Sequence, residues 1–115
     1  MEANELMLGD WVRIPSELNR FKQIKSTFDL DESVLYQPVQ ITGEILEKNG
    51  FKKKMGGTFE LVYNPKGTYI HMEYNPVSGH LIANDRWFIA NEIHFVHELQ
   101  HALKMAKTDI PIDLN

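Results

Sequence analysis

With 115 residues, 43% of them hydrophobic and 24% charged, the chain has the size and make-up of one ordinary domain with one modest core, so disorder is not the default reading. A formal net charge of −4 argues against a protein that coats nucleic acid or anionic membrane through a global positive field. The absence of cysteine removes disulfides, thiolate metal sites and cysteine nucleophiles together.

The N-terminal Met1-Glu2-Ala3-Asn4-Glu5-Leu6 lacks the basic-then-apolar signature of a secretory signal, and no apolar run approaches bilayer-spanning length. A cytoplasmic protein without membrane contact is expected. Leu6 to Ile14 reads as a Gly-Asp turn feeding a strand rich in β-formers, stopped by Pro15. Phe21 to Phe28 suggests a second strand, followed by a polar break over Asp29 to Glu32. Tyr36 to Ile41 is extended, because the residue before Pro38 is pushed towards β or polyproline geometry.

Thr42 then caps a short helix reaching Asn49, with Glu44 favourable to the helix dipole, Gly50 as the left-handed residue after it and Phe51 packing back. Lys52-Lys53-Lys54 reads as a solvated turn, and Gly56-Gly57 as a flexible one. Asn64-Pro65-Lys66-Gly67 and Asn75-Pro76-Val77-Ser78-Gly79 separate β-rich runs at Thr58 to Tyr63, Thr68 to Tyr74 and His80 to Ile89, which predicts a three-stranded antiparallel meander. In the middle run Ile70, Met72 and Tyr74 alternate with Tyr69, His71 and Glu73, so one face is the more apolar. From about Asn91 to Lys107 the apolar spacing of Ile93, Val96, Leu99, Leu103 and Ala106 predicts an amphipathic helix, which Pro111 prevents from continuing. Residues 108–115 read as a loose tail of a single domain spanning 1–115.

One pattern carries chemistry. His97-Glu98-Leu99-Gln100-His101 has the spacing of a zinc-hydrolase helix, in which two histidines one turn apart hold the metal and the glutamate acts as general base on its water. A catalytic zinc needs a third protein ligand, and no His or Glu follows His101. Asp109 and Asp113 lie in the expected tail, and nothing selects among His71, Glu73, His80 and Asp85. On a helical wheel His94, His97 and His101 fall together, opposite the apolar stripe, as a solvated or interface-facing strip able to chelate metal without doing chemistry. The two tryptophans, Trp11 and Trp87, read as core or sheet-packing aromatics. Tyr63, Tyr69 and Tyr74 could stack on a base or grip a peptide, but lack the interleaved Arg and Lys of a nucleic-acid surface.

Three stretches also carry a resemblance: Leu8-Gly9-Asp10-Trp11-Val12, then Tyr36 to Thr42 running into Glu44 to Phe51, and Glu92 to Gln100. In this order they resemble a group of short, uncharacterised bacterial proteins often encoded in prophages and other mobile elements. The resemblance implies that His97 and Gln100 belong to a Val-His-x-Leu-Gln pattern, whereas the positions of Glu98 and His101 often hold Gln and Asn. It brings no biochemical activity with it.

The expectation is therefore an α+β domain: an N-terminal β segment, one short central helix, an antiparallel meander and a C-terminal amphipathic helix. Its expected role is that of an accessory protein of the mobile-element type, acting without catalysis or cofactor through an unknown protein partner or its own oligomer. Val96, His97, Gln100 and Trp87 are the expected contact residues. The alternative is a zinc hydrolase with Glu98 as base, His97 and His101 as metal ligands and an unidentified third ligand, His94 being a further metal candidate. Nucleic-acid binding through the N-terminal strands and Lys52 to Lys54 is weaker, because the charge is wrong.

Overall fold

The structure is a computed structural model that describes residues 6–18, 20–32, 35–63, 70–83, 87–90, 92–105 and 111–114, with the backbone alone at 31, 63, 70, 83, 87–90 and 105. It is an α+β arrangement of two antiparallel sheets and three α-helices. Strands β1 (Trp11–Ile14), β2 (Arg20–Gln23) and β3 (Gln37–Pro38) form a small sheet in the order β2-β1-β3. Strands β4 (Lys52–Lys53), β5 (Phe59–Tyr63), β6 (Ile70–Asn75), β7 (His80–Ala83) and β8 (Trp87–Ala90) follow one another in a second sheet in sequence order. The meander thus has more strands than the residue pattern suggested, because the run His80 to Ile89 turns back on itself and Lys52-Lys53 joins the edge. The turn at Asn64 to Gly67 lies outside the described residues.

Helix α1 (Thr27–Asp31) replaces the end of the expected second strand and the polar break after it. Ser26 caps it by accepting from the Asp29 backbone N–H at 3.3 Å. The Asp29 carboxylate in turn accepts from the Lys25 backbone N–H at 2.9 Å and pairs with the Lys22 ammonium at 3.0 Å. Helix α2 (Gly43–Lys48) follows the residue-level expectation closely: the Thr42 hydroxyl accepts from Ile45 N–H, Gly50 takes φ +92°, and Phe51 N–H donates to the Leu46 carbonyl. With Gly50 N–H on the Glu47 carbonyl, this is a Schellman closure.

Helix α3 (Val96–Met105) is shorter than expected at its start. Residues 92–95 are not helical: Glu92 has φ +59°, and Phe95 bridges Gln40 instead. Ile41 N–H donates to the His94 carbonyl and Val96 N–H to the Val39 carbonyl, so this segment hydrogen-bonds to the stretch after β3 rather than to a preceding helical turn. The helix packs Val96, Leu99, Ala102 and Leu103 into the larger of two cores, with Phe51, Phe59, Leu61, Met72, Tyr74 and Leu81 from β5 to β7 and the segment before them. The smaller core joins Leu6, Val12, Ile14, Ile24 and Tyr36.

The C-terminal segment is no loose tail where it is described. Ile112 and Leu114 are buried in the larger core, the Trp11 indole N–H donates to the Ile112 carbonyl at 2.8 Å, and Asn49 and Asp113 exchange hydrogen bonds. The two apolar residues anchor it, a signal too short to stand out in the sequence. Across the sheet the Tyr74 hydroxyl donates to the Ile93 carbonyl, and burial, followed by the Glu98 charge, pushes its pKa up to about 12.

Two tests follow from these contacts. Gly79 holds φ +75° in the β6–β7 turn, and a Cβ there would come within 2.8 Å of the Ile93 backbone nitrogen. Gly79→Ala should therefore cost about 2–4 kcal/mol, measured by urea unfolding, from left-handed strain plus a backbone clash. The Lys25 N–H, then the Lys22 ammonium, hold the Asp29 carboxyl below its usual range. The stability it contributes is complete at neutral pH and is lost as pH falls through that lowered value. Asp29→Asn should be less stable than the parent at pH 7 and indistinguishable from it in strong acid.

Candidate functional site

Helix α3 lies between the large sheet and the loop that leads into β1, so it has no free polar side where the wheel placed the histidines. His97 is buried at 6% exposure, and His101 retains 27% of its side chain in solvent. His94 is exposed and precedes the helix, so it does not continue the strip. The expected water-facing stripe is thus corrected: a second layer of protein covers it. Val96 and Gln100 are likewise interior, which removes them and His97 as surface contacts; the Trp87 side chain lies outside the described residues.

Glu98, Gln100 and His101 of the hydrolase-like pattern each make side-chain hydrogen bonds within the fold. The Glu98 carboxylate, at the third helical position, accepts from the backbone N–H groups of His94 at 3.0 Å and Phe95 at 3.1 Å. This is the glutamate half of a capping box, filling the site where an N-terminal helix dipole favours negative charge. The His101 Nε2 donates to the Asp10 carboxylate at 2.6 Å, and that same oxygen accepts from Met7 N–H at 2.8 Å. Asp10 is fully buried, so the imidazole is its principal polar partner. The His97 ring stacks on Phe95 with centroids 6.2 Å apart and meets the His101 ring edge-on at 5.7 Å. The two rings do come together, but the His101 nitrogen that would meet a metal faces Asp10.

Gln100 was missed as a polar anchor. Its side-chain carbonyl accepts from Trp11 N–H at 2.9 Å, and its amide donates to the Gly9 carbonyl at 2.7 Å. Lys104 adds a bond to the Leu8 carbonyl. The three stretches singled out in the sequence therefore meet: Gly9 to Trp11 against Gln100 and His101, and Val39 to Ile41 against His94 to Val96.

Two other places could carry function. On the outer face of the large sheet Glu60 and Glu73 stand directly opposite on β5 and β6. His71 Nε2 lies 2.8 Å from Glu60 Oε2 and 4.0 Å from Glu73 Oε1, and the Lys54 ammonium sits 3.3 Å and 2.6 Å from the same carboxylates. Lys54 is thus no simply solvated turn residue. The His71 hydrogen bond, then Lys54, hold the Glu60 carboxyl below its usual range. The second place is a groove of about 690 Å³ between the small sheet and α2, lined by Phe21, Pro38, Ile45 and Phe95 together with the charged Arg13, Glu44 and Lys48.

The chain matches no family model, no curated protein and no solved structure. Among the described residues no helix is long and apolar enough to cross a membrane.

These bonds rank the substitutions in the helix. Gln100→Ala strands the buried Trp11 N–H and should lower unfolding free energy by about 2–3 kcal/mol. Glu98→Gln keeps an acceptor for both backbone donors and should cost less than ~1 kcal/mol, with Glu98→Ala costing more. Urea unfolding of the three variants checks the order.

Proposed function

We propose that this chain is a small accessory protein of the mobile-element type suggested by its three sequence stretches, acting by binding another protein and without catalysis. The observation that carries the reading is the deployment of the hydrolase-like pattern: Glu98 caps its own helix, and His101 is held by Asp10. A general base must be free to take a proton from water, and a carboxylate that already accepts two backbone hydrogen bonds is a poor one.

The contact surface is the groove between β3 and α2 rather than helix α3. Apolar lining residues with two cations, Arg13 and Lys48, against the one carboxylate of Glu44 suit a partner segment that brings apolar side chains with acidic ones among them. Phe21 is 38% exposed there, an aromatic not fully used by the core.

A photo-crosslinking residue placed at position 48, in cells that naturally make the protein, should give one protein adduct that the same residue at position 77, in the β6–β7 turn, does not. Phe21→Ser should reduce that adduct about tenfold or more while leaving the circular dichroism spectrum unchanged. No adduct at position 48, or one indifferent to Phe21→Ser, would remove the groove as the contact surface.

A further inference from the structure

The outer face of the large sheet carries a donor set that the zinc-like pattern on α3 does not provide. Phe59, Leu61, Met72 and Tyr74 point into the core, so the intervening Glu60, His71 and Glu73 share the outer face. Their donor atoms, one from each residue, all lie within 4.8 Å of one another. Like charges directly opposite on antiparallel strands destabilise the pairing, so Glu60 and Glu73 in register need a cation between them. The imidazole separates this group from an ordinary acidic pair, since His is a common ligand for transition metals.

We propose that Glu60, His71 and Glu73 bind one divalent transition-metal ion, with zinc the best fit, and that Lys54 is an internal cation that the metal displaces. Zinc held at about 2.0–2.2 Å by these donor types needs them roughly 3.3 Å apart. The His71 contacts of 2.8 Å and 4.0 Å bracket that spacing, and all three donor atoms lie within 4.8 Å of one another. Three protein ligands leave a fourth position open to water or to a donor from a partner protein.

The charge balance favours exchange. Exchanging the single positive charge of the ammonium for a divalent ion adds one positive charge beside the two carboxylates. Lys54 is free to leave: its side chain is 43% exposed, and it enters a turn whose Gly56 and Gly57 both have positive φ. Its departure breaks no backbone hydrogen bond, because the Lys54 N–H on the Thr58 carbonyl holds the strand end independently of the ammonium. All the residues of the site lie on β5, β6 and the turn before them, remote in sequence from His97 and His101.

Calorimetric titration with zinc chloride, on untagged protein stripped with chelator, tests the assignment. One equivalent should bind, His71→Ala and Glu73→Gln should each weaken it about tenfold or more, and Lys54→Met should strengthen it by a similar factor. His101→Gln should leave the affinity unchanged. No saturable binding in either the parent or Lys54→Met would overturn the proposal. Affinity insensitive to His71→Ala, or lost in His101→Gln with the fold retained, would overturn it equally.

Discussion

A loop can be buried only if its backbone groups find partners, and the side chain of Gln100 supplies one each for the Gly9 carbonyl and the Trp11 N–H, while Met7 and Ile24 pair with the backbone between them. One amide accepts from Trp11 and donates to Gly9, and the neighbouring His101 donates to one carboxylate oxygen of the buried Asp10. Closing that loop onto α3 allows Trp11 to enter the core. Its indole then fixes Ile112, whose segment reaches α2 through Asn49 and Asp113. The small sheet, the C-terminal segment and the central helix are thus all held in place through one polar seam.

That seam changes the meaning of the polar face of α3. A helix packed on one side presents its other side to solvent, and His97 and His101 would be available to a metal. Here the β1 loop covers that side, so the imidazoles become packing and pairing groups and the glutamate becomes a cap. The same letters that spell a metal-binding helix spell a capped docking helix when an aspartate sits opposite the second histidine. Surfaces left for recognition are consequently those away from α3, namely the apolar groove beside α2 and the charged outer face of β5 and β6.

How much was legible in the residues depended on how local the cause was. Helix α2 could be read in full, because Thr42, Gly50 and Phe51 act within a few positions of one another. The Gly79 turn was legible for the same reason. The alternation in β6 showed which residues face the core, and so put His71 and Glu73 on the opposite face. It did not show that Glu60 and Lys54 join them, because strand register is decided between segments. The start of α3 was misplaced, since residues 92–95 exchange helical hydrogen bonds for bonds to Val39, Gln40 and Ile41.

The sequence by itself determined the α+β character, the ends of α2, the β6–β7 turn and the apolar stripe from Val96 to Leu103, all consequences of periodicity, capping and turn chemistry over short spans. Tertiary structure alone decided that the face opposite the stripe is partly covered, that His101 meets Asp10 across 91 positions and that Gln100 closes the first loop. It also decided that two glutamates, a histidine and a lysine share one spot on a sheet. Burial and pairing are properties of what lies opposite a residue, and no residue carries that in its own neighbourhood along the chain.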